Sequence, residues 1–352
     1  MSKILQICAN LDSRIGGPYQ VALAINEYCD DTGKDIKTIS FGGEQSNFAE
    51  VTNSIQNNRY GVSFAILKDS IRTAVKQSSV LIVHGFYLFS TLFAVLMANH
   101  NSRIILFPHG SLNASQINKN RYFKFVFRQI FLKLINGKDL SIACTSSQEV
   151  FDVSHAFSEV KTFQTLLGSR ICQDIDKLPR KDLTLLTVSR LHPIKNLEIC
   201  LHLVSLAKTQ GLDIKLTVVG EGSTKYKKEL QNLTRLLTIE ESVEFSGLKS
   251  TEEIQSLIDA STVLLQFSHY ENFGISVAEA ISRNTPVLIG PNVGIADFVL
   301  ENRCGLVVNL NDLDGIFRDL KCLLNEYPMF VSNCRSVKNS FRWNQIIEDW
   351  SL

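Results

Sequence analysis

No run of this 352-residue chain is apolar for long enough to cross a bilayer. The longest such stretch, near Tyr87 to Ala98, is broken by Ser90 and Thr91, and a spanning helix needs roughly 20 residues. The N-terminus, Met1 to Asn10, has one lysine and a short apolar run. It lacks the apolar region and cleavage site of a signal peptide. An excess of either charge is lacking too. Lys and Arg together number 36, Asp and Glu 35, so no strong overall field draws the chain to nucleic acid. The cysteines Cys8, Cys29, Cys144, Cys172, Cys200, Cys304, Cys322 and Cys334 are scattered, with no C-x-x-C pair and no histidine at ligand spacing. Most lie in apolar runs, which reads as buried free thiols in a reducing compartment rather than disulfides or zinc ligands. Low-complexity tracts, short-period repeats and the G-x-G-x-x-G of a dinucleotide site are also absent.

What the chain does have is alternation. Strand-like runs are expected at 3–8, 35–41, 80–84, 103–107, 140–144 and 162–167, with a helix from Pro18 to about Asp30 and others between most of the strands. Around 168–182 the pattern loosens into polar residues and Pro179, then restarts. Strands at 183–188, 214–219, 243–246, 263–267, 286–289 and 305–308 enclose helices at 196–208 and 225–237. The expectation is an α/β protein of two doubly wound, Rossmann-like domains, 1–168 and 183–334, joined by a linker at 169–182 and facing across a cleft. Ligands of such sheets sit beyond the carboxyl ends of the strands.

Five segments carry chemistry. In His269-Tyr270-Glu271-Asn272-Phe273-Gly274-Ile275-Ser276-Val277-Ala278-Glu279-Ala280, two carboxylates lie eight residues apart across a strand-to-helix turn. Glu271 is expected just ahead of the helix and Glu279 about two turns in. The unpaired amides of the first turn between them make an anion site. Carboxylates for hydroxyls beside amides for phosphate suit a nucleotide bearing a sugar. Taken alone, a charge at the dipole end and a solvated helix face explain the same pair.

In Ser189-Arg190-Leu191-His192-Pro193-Ile194-Lys195-Asn196, two cations five apart follow a buried strand and precede a helix. A cation there is locally unfavourable unless an anion joins it. Arg190 and Lys195 are what a diphosphate needs, in binding and as a leaving group; plain surface charge is the competing reading. Gly220-Glu221-Gly222 follows another strand and permits close approach of a base or ribose. In the first half, Gly16-Gly17-Pro18 opens a helix, as a phosphate approach or a plain tight turn. In Pro108-His109-Gly110, His109 stands at a strand end as a hydrogen-bonding group for the transferred moiety or as a structural histidine. Asp312-Leu313-Asp314 has metal-motif spelling but reads as a helix start.

Taken together, Gly16-Gly17, Pro108-His109-Gly110, Ser189-Arg190-Leu191 with Lys195-Asn196, Gly220-Glu221-Gly222 and Glu271 to Glu279 resemble family 4 of the retaining glycosyltransferases. The likeness spans nearly the whole chain, and the Glu271–Glu279 and Arg190–Asn196 segments are specific only in combination. It implies the two-domain GT-B fold, with a C-terminal helix at about 335–352 returning to the first domain. It also implies that Arg190 and Lys195 bind the donor diphosphate, Glu271 the sugar hydroxyls and Glu279 the ribose. Asn272, Phe273, Gly274, Ile275 and Gly220 would complete the donor site, with Gly16 and Gly17 approaching the phosphate and His109 reaching the sugar. Retention by front-face attack needs no side-chain nucleophile, and no metal or other cofactor is implied. The chain departs from the family pattern at Leu167-Gly168-Ser169-Arg170, where many relatives have an Asn-Gly turn, and at Asp297, where a Glu is common.

The segment 118–138 carries Lys119, Arg121, Lys124, Arg128, Lys133 and Lys138 among aromatics. Phe123, Phe127, Ile130 and Leu134 form one stripe at helical spacing. The plain reading is a helix that buries this stripe on the sheet. The sharper one is docking on an anionic membrane surface, which suits a lipid-linked acceptor. The resulting expectation is a cytoplasmic enzyme, free or peripheral on the inner face of the membrane. It would move a sugar from a nucleotide-sugar donor to a glycan or lipid-linked oligosaccharide, in bacterial surface polysaccharide or lipopolysaccharide assembly. The alternatives are a nucleotide-sugar epimerase of the same fold and a nucleotide-sugar-binding protein without turnover.

Overall fold

The computed structural model describes residues 3–12, 16–43, 49–51, 69–113, 120–169 and 183–352. The expected linker from 170 onward, Cys172, Ser13 to Ile15 of the first glycine loop, and 118–119 of the basic segment lie outside these residues. The chain divides into two compact units, Met1–Leu166 with Trp343–Leu352, and Leu167–Arg342.

The first unit is built on strands β1 (Ile4–Cys8), β2 (Ile36–Ser40), β3 (Glu50–Val51), β4 (Val80–His84), β5 (Arg103–Phe107), β6 (Asp139–Cys144) and β7 (Lys161–Gln164). They pair in parallel in the order β3-β2-β1-β4-β5-β6-β7. Every residue of β1 and β4 is buried, as expected for strands covered on both faces. The order reverses between β1 and β4, the point where ligands bind in open α/β sheets. The core includes an aromatic cluster in which Phe86 meets Tyr87, Phe127, Phe131 and Phe157 at ring-centroid distances of 4.8–5.4 Å. Each buried ring of this size contributes roughly 1.5–3 kcal/mol.

The helix Arg121–Ile135 corrects one expected stripe. Phe127 and Phe131 are its buried residues, whereas Ile130 is 44% exposed. The face is set by the seating of Phe127 and Phe131 against Phe86, which turns Ile130 outward. Tyr122, Phe125, Val126 and Leu132 are exposed beside it.

The chain returns to this unit at Trp343, later than the expected 335. The helix Tyr327–Val337 belongs to the second unit, where it buries Tyr327, Phe330, Val331 and Cys334. The final helix, Trp343–Asp349, packs on the helix Gly17–Thr32. Trp350 is buried, donates from Nε1 to Thr165 Oγ1 at 2.9 Å and lies against Phe107.

The second unit holds β8 (Leu183–Val188), β9 (Ile214–Val219), β10 (Val243–Gly247), β11 (Val263–Gln266), β12 (Val287–Ile289) and β13 (Gly305–Val307). All pair in parallel in the order β10-β9-β8-β11-β12-β13, with the reversal between β8 and β11. Two of its helices start at side-chain caps that the sequence spells out. Ser250 and Glu253 form a reciprocal capping box ahead of Thr251–Ala260. Asp312 Oδ1 accepts from Gly315 N at 2.8 Å and caps Leu313–Asn325. Of the described cysteines, Cys322 is exposed and the rest are buried free thiols.

Candidate active site

The two segments singled out in the second unit leave adjacent strands at its topological reversal, β8 and β11. Beyond β8, Ser189 N donates to Val219 O at 3.0 Å and Leu191 N to Glu221 O at 2.9 Å. A Cβ on Gly220 would stand 2.0 Å from Ser189 O, and one on Gly222 1.9 Å from Leu191 O. The close approach that demands glycine here is therefore chain against chain. It fixes where the segment bearing Arg190 and Lys195 leaves the sheet.

Lys195 ends a short 3₁₀ turn, Pro193–Lys195, and Asn196, at φ 53°, caps the helix Leu197–Thr209. His269 N donates to Ile194 O at 2.8 Å and ties this turn to the loop beyond β11. Lys195 Nζ is ion-paired with Glu271 Oε2, their side chains only 13% and 23% exposed. The same oxygen accepts from Gln266 Nε2 at 3.3 Å. That amide also donates to Ser268 Oγ at 2.9 Å, and Gln266 Oε1 accepts from Ser276 Oγ at 2.8 Å.

The backbone around Glu271 is held by a second loop. Glu271 N donates to Asn292 O at 3.0 Å, Gly294 N to Glu271 O at 2.9 Å, and Ile295 N to Phe273 O at 2.8 Å. Gly274, at φ 104°, then opens the helix Ile275–Ser282. The amides of Ile275 and Ser276 have no backbone partner among the described residues. Such first-turn N–H groups favour an anion. Because the helix begins at Ile275, Glu279 lies about one turn in, not two, and is half-buried. Lys195, Glu271 and the helix start are thus brought together. Arg190 is exposed, with no ion pair among the described residues.

In the first unit, Gly16, at φ 79°, caps the helix Gly17–Thr32 with Pro18 in its first turn. A Cβ on Gly16 would meet nothing within 4 Å, so the backbone angle and not crowding selects glycine there. His109 follows β5 at φ 51°, a left-handed conformation uncommon outside glycine. Its neighbour Gly110 donates from N to Glu149 Oε1 at 2.7 Å. Glu149 Oε2 accepts from Thr145 N at 2.8 Å and Thr145 Oγ1 at 3.0 Å. This carboxylate is 2% exposed and anchors the His109 turn from behind.

His109 Nε2 is 3.0 Å from His84 Nδ1, and His84 Nε2 is 3.0 Å from Gln6 Oε1. Burial pushes the imidazole of His109 down from 6.5 to about 4. Burial, followed by the neighbouring His109, pushes His84 well below its usual range. Both rings are neutral at physiological pH. Among the described residues no group of three or more His, Cys, Asp or Glu is arranged to hold a metal ion.

Gln266, Ser268, Ser276, Gln6, His84 and Glu149 were not singled out in the sequence. Their signal was available: Gln6, His84 and Gln266 are polar residues inside otherwise apolar strands, and a buried polar side chain must find partners.

Residues 172–337 match the family model of glycosyl transferases group 1. An uncharacterized glycosyltransferase of Haemophilus influenzae is 25% identical over 99% of this chain and 99% of its own. The chain is also similar in structure to WaaG, a glycosyltransferase involved in lipopolysaccharide biosynthesis. That match has TM-score 0.73 and 15% identity, over 99% of this chain and 98% of WaaG. HepE of Anabaena, in complex with UDP and glucose, matches at TM-score 0.76 and 16% identity over the whole of both chains. The match to glycosyl transferases group 1 thus falls in the second unit, and the chain as a whole has the GT-B fold.

Proposed function

We propose that this protein is a retaining glycosyltransferase that moves a sugar from a nucleoside-diphosphate sugar to a hydroxyl of a glycan or lipid-linked oligosaccharide. The observation that carries the reading is the Lys195–Glu271 pair beside the open amides of the helix Ile275–Ser282, in the unit that matches glycosyl transferases group 1. Lys195 and the helix start supply positive charge to a diphosphate, and exposed Arg190 adds a second cation. Glu271, oriented by Gln266, accepts hydroxyls of the donor sugar. Glu279 takes the ribose, and His109 hydrogen-bonds the transferred sugar.

In the proposed reaction the bond from the anomeric carbon to the β-phosphate oxygen breaks, and its electron pair leaves with the nucleoside diphosphate. The acceptor hydroxyl oxygen bonds to the same face of that carbon, and its proton passes to the departing phosphate oxygen. Lys195 and Arg190 stabilise the charge that develops there. This chemistry invokes no side-chain nucleophile and no metal.

The acceptor reading draws on the helix Arg121–Ile135. Tyr122, Phe125, Val126, Ile130 and Leu132 are exposed on an element that also carries Arg121, Lys124 and Lys133. Apolar side chains interleaved with cations suit an anionic lipid surface, and hence peripheral work at the cytoplasmic face of a membrane in surface polysaccharide assembly. The test is release of nucleoside diphosphate from a panel of UDP-, GDP- and ADP-sugars in the presence of lipid extract. Release with one donor and transfer to lipid supports the reading; no release with any donor overturns it.

A further inference from the structure

The hydrogen bonds behind His109 run in one direction, and that direction settles which of its ring nitrogens carries the proton. The chain begins at the helix Gly17–Thr32. Asn26 Nδ2 donates to Ala22 O at 2.7 Å, which leaves Asn26 Oδ1 as an acceptor. Thr38 Oγ1 donates to that oxygen at 2.9 Å. Having spent its one hydrogen, Thr38 Oγ1 accepts from Gln6 Nε2 at 3.0 Å. Gln6 Nε2 also donates to Ala22 O, at 3.1 Å. Two acceptor contacts identify this atom as the nitrogen, so Gln6 Oε1 faces His84 Nε2 and the hydrogen of that contact belongs to His84. A neutral imidazole has one N–H. With the proton on Nε2, His84 Nδ1 is a lone pair, and the hydrogen between the two rings must sit on His109 Nε2. His109 Nδ1 is then a bare acceptor.

The sheet makes this possible. Gln6 pairs with Ile82 in register, so His84, two residues on, lies on the same face of the neighbouring strand. Gln6, Thr38 and His84 are all at most 5% exposed, so water does not compete for their hydrogens. Phe107 stacks on both imidazoles at centroid distances of 5.4 and 5.9 Å and keeps them near one plane.

We propose that Gln6 and His84 are positioning residues that lock His109 in its Nε2–H tautomer, so that Nδ1 accepts a hydrogen bond from a hydroxyl of the bound sugar. This rests on the glycosyltransferase reading only for the identity of the ligand. The tautomer is a property of the protein alone. It has a consequence for specificity: a hydroxyl satisfies the site, whereas an ether or carbonyl oxygen at the same place would set two acceptors against each other.

The test is long-range proton–nitrogen NMR of the full chain labelled with ¹⁵N-histidine, without ligand. The His84 and His109 signals are assigned by their loss in His84→Leu and His109→Asn. The expected spectrum shows both rings as Nε2–H tautomers with an unprotonated Nδ1. A His109 ring protonated at Nδ1, or averaging between the two forms, overturns the proposal. His84→Asn places an amide oxygen where Nδ1 stood and should keep the His109 tautomer; His84→Leu should release it. If His84→Leu fails to fold, the wild-type and His84→Asn spectra still decide. Adding the nucleotide sugar that best stabilises the protein should move the His109 Nδ1 signal in the direction of a hydrogen-bonded acceptor and leave Nε2 bonded. No change at Nδ1 on saturation would refute the ligand contact while leaving the tautomer assignment intact.

Discussion

Lowering the pH should weaken the first unit through its histidines before the carboxylates are reached. In the unfolded chain His109 takes up its proton near 6.5, whereas in the folded protein burial holds it down to about 4. Between these values the unfolded state binds more protons, so stability is complete above 6.5 and falls as pH drops toward 4. From pH 7.5 to 5.5 the loss from His109 alone is about 1.3 kcal/mol. His84, pushed down by burial and by His109, adds a loss of the same sign. Urea unfolding at the two pH values, followed by tryptophan fluorescence, reports this directly. Both tryptophans, Trp343 and Trp350, lie in the first unit. The comparison that isolates the effect is His109→Asn, which should lose less stability than the wild type over the same interval. Equal stability of the wild type at both pH values, or the same loss in the variant, would refute the assignment of a neutral imidazole.

Other perturbations have equally definite outcomes. Lys195→Ala should lower kcat by roughly 10²–10³, the scale for one group that stabilises developing charge, and near-normal turnover in a donor assay would remove Lys195 from the diphosphate site. Gly220→Ala should destabilise the second unit by about 2 kcal/mol or more, because its Cβ would sit 2.0 Å from Ser189 O at φ 130°. Gly16→Ala, with nothing within 4 Å, should cost only the backbone term of about 1–2 kcal/mol; equal costs in thermal unfolding would contradict the packing argument. The wild type should co-sediment with phosphatidylglycerol vesicles at low salt, and Phe125→Asp with Lys124→Glu should abolish this. No sedimentation of the wild type would dismiss the membrane reading.

The strand pattern was legible in the sequence because the central strands, β1, β4, β11 and β12, are short runs with every residue buried, and most runs closed within a residue or two of their expected ends. The two-residue β3 at Glu50–Val51 was not, since so short an edge strand has no periodicity to read. Ile130 and Phe131 exchanged places because both fit a helical stripe, and only the partner Phe86 decides between them. Glu271 and Lys195 were visible as residues. Their pairing was not, because it depends on the tie between Ile194 and His269 that joins the ends of two strands 75 residues apart in sequence. The polar relay of Gln6 and His84 left only a faint mark, one polar residue in each of two apolar strands. Its meaning depends on the register that sets them side by side.

Thermal unfolding of the full chain against UDP, GDP, ADP and their sugar conjugates asks whether the second unit binds a nucleoside-diphosphate sugar through Lys195 and the helix at Ile275. A ligand that binds only the folded state at a hundredfold excess over Kd stabilises it by about 2.7 kcal/mol. Stabilisation by one nucleotide series, strongest with one sugar, is expected, together with its loss in Lys195→Ala. Failure of every nucleotide and conjugate to stabilise the wild type, or undiminished stabilisation of Lys195→Ala, would rule out donor binding through Lys195.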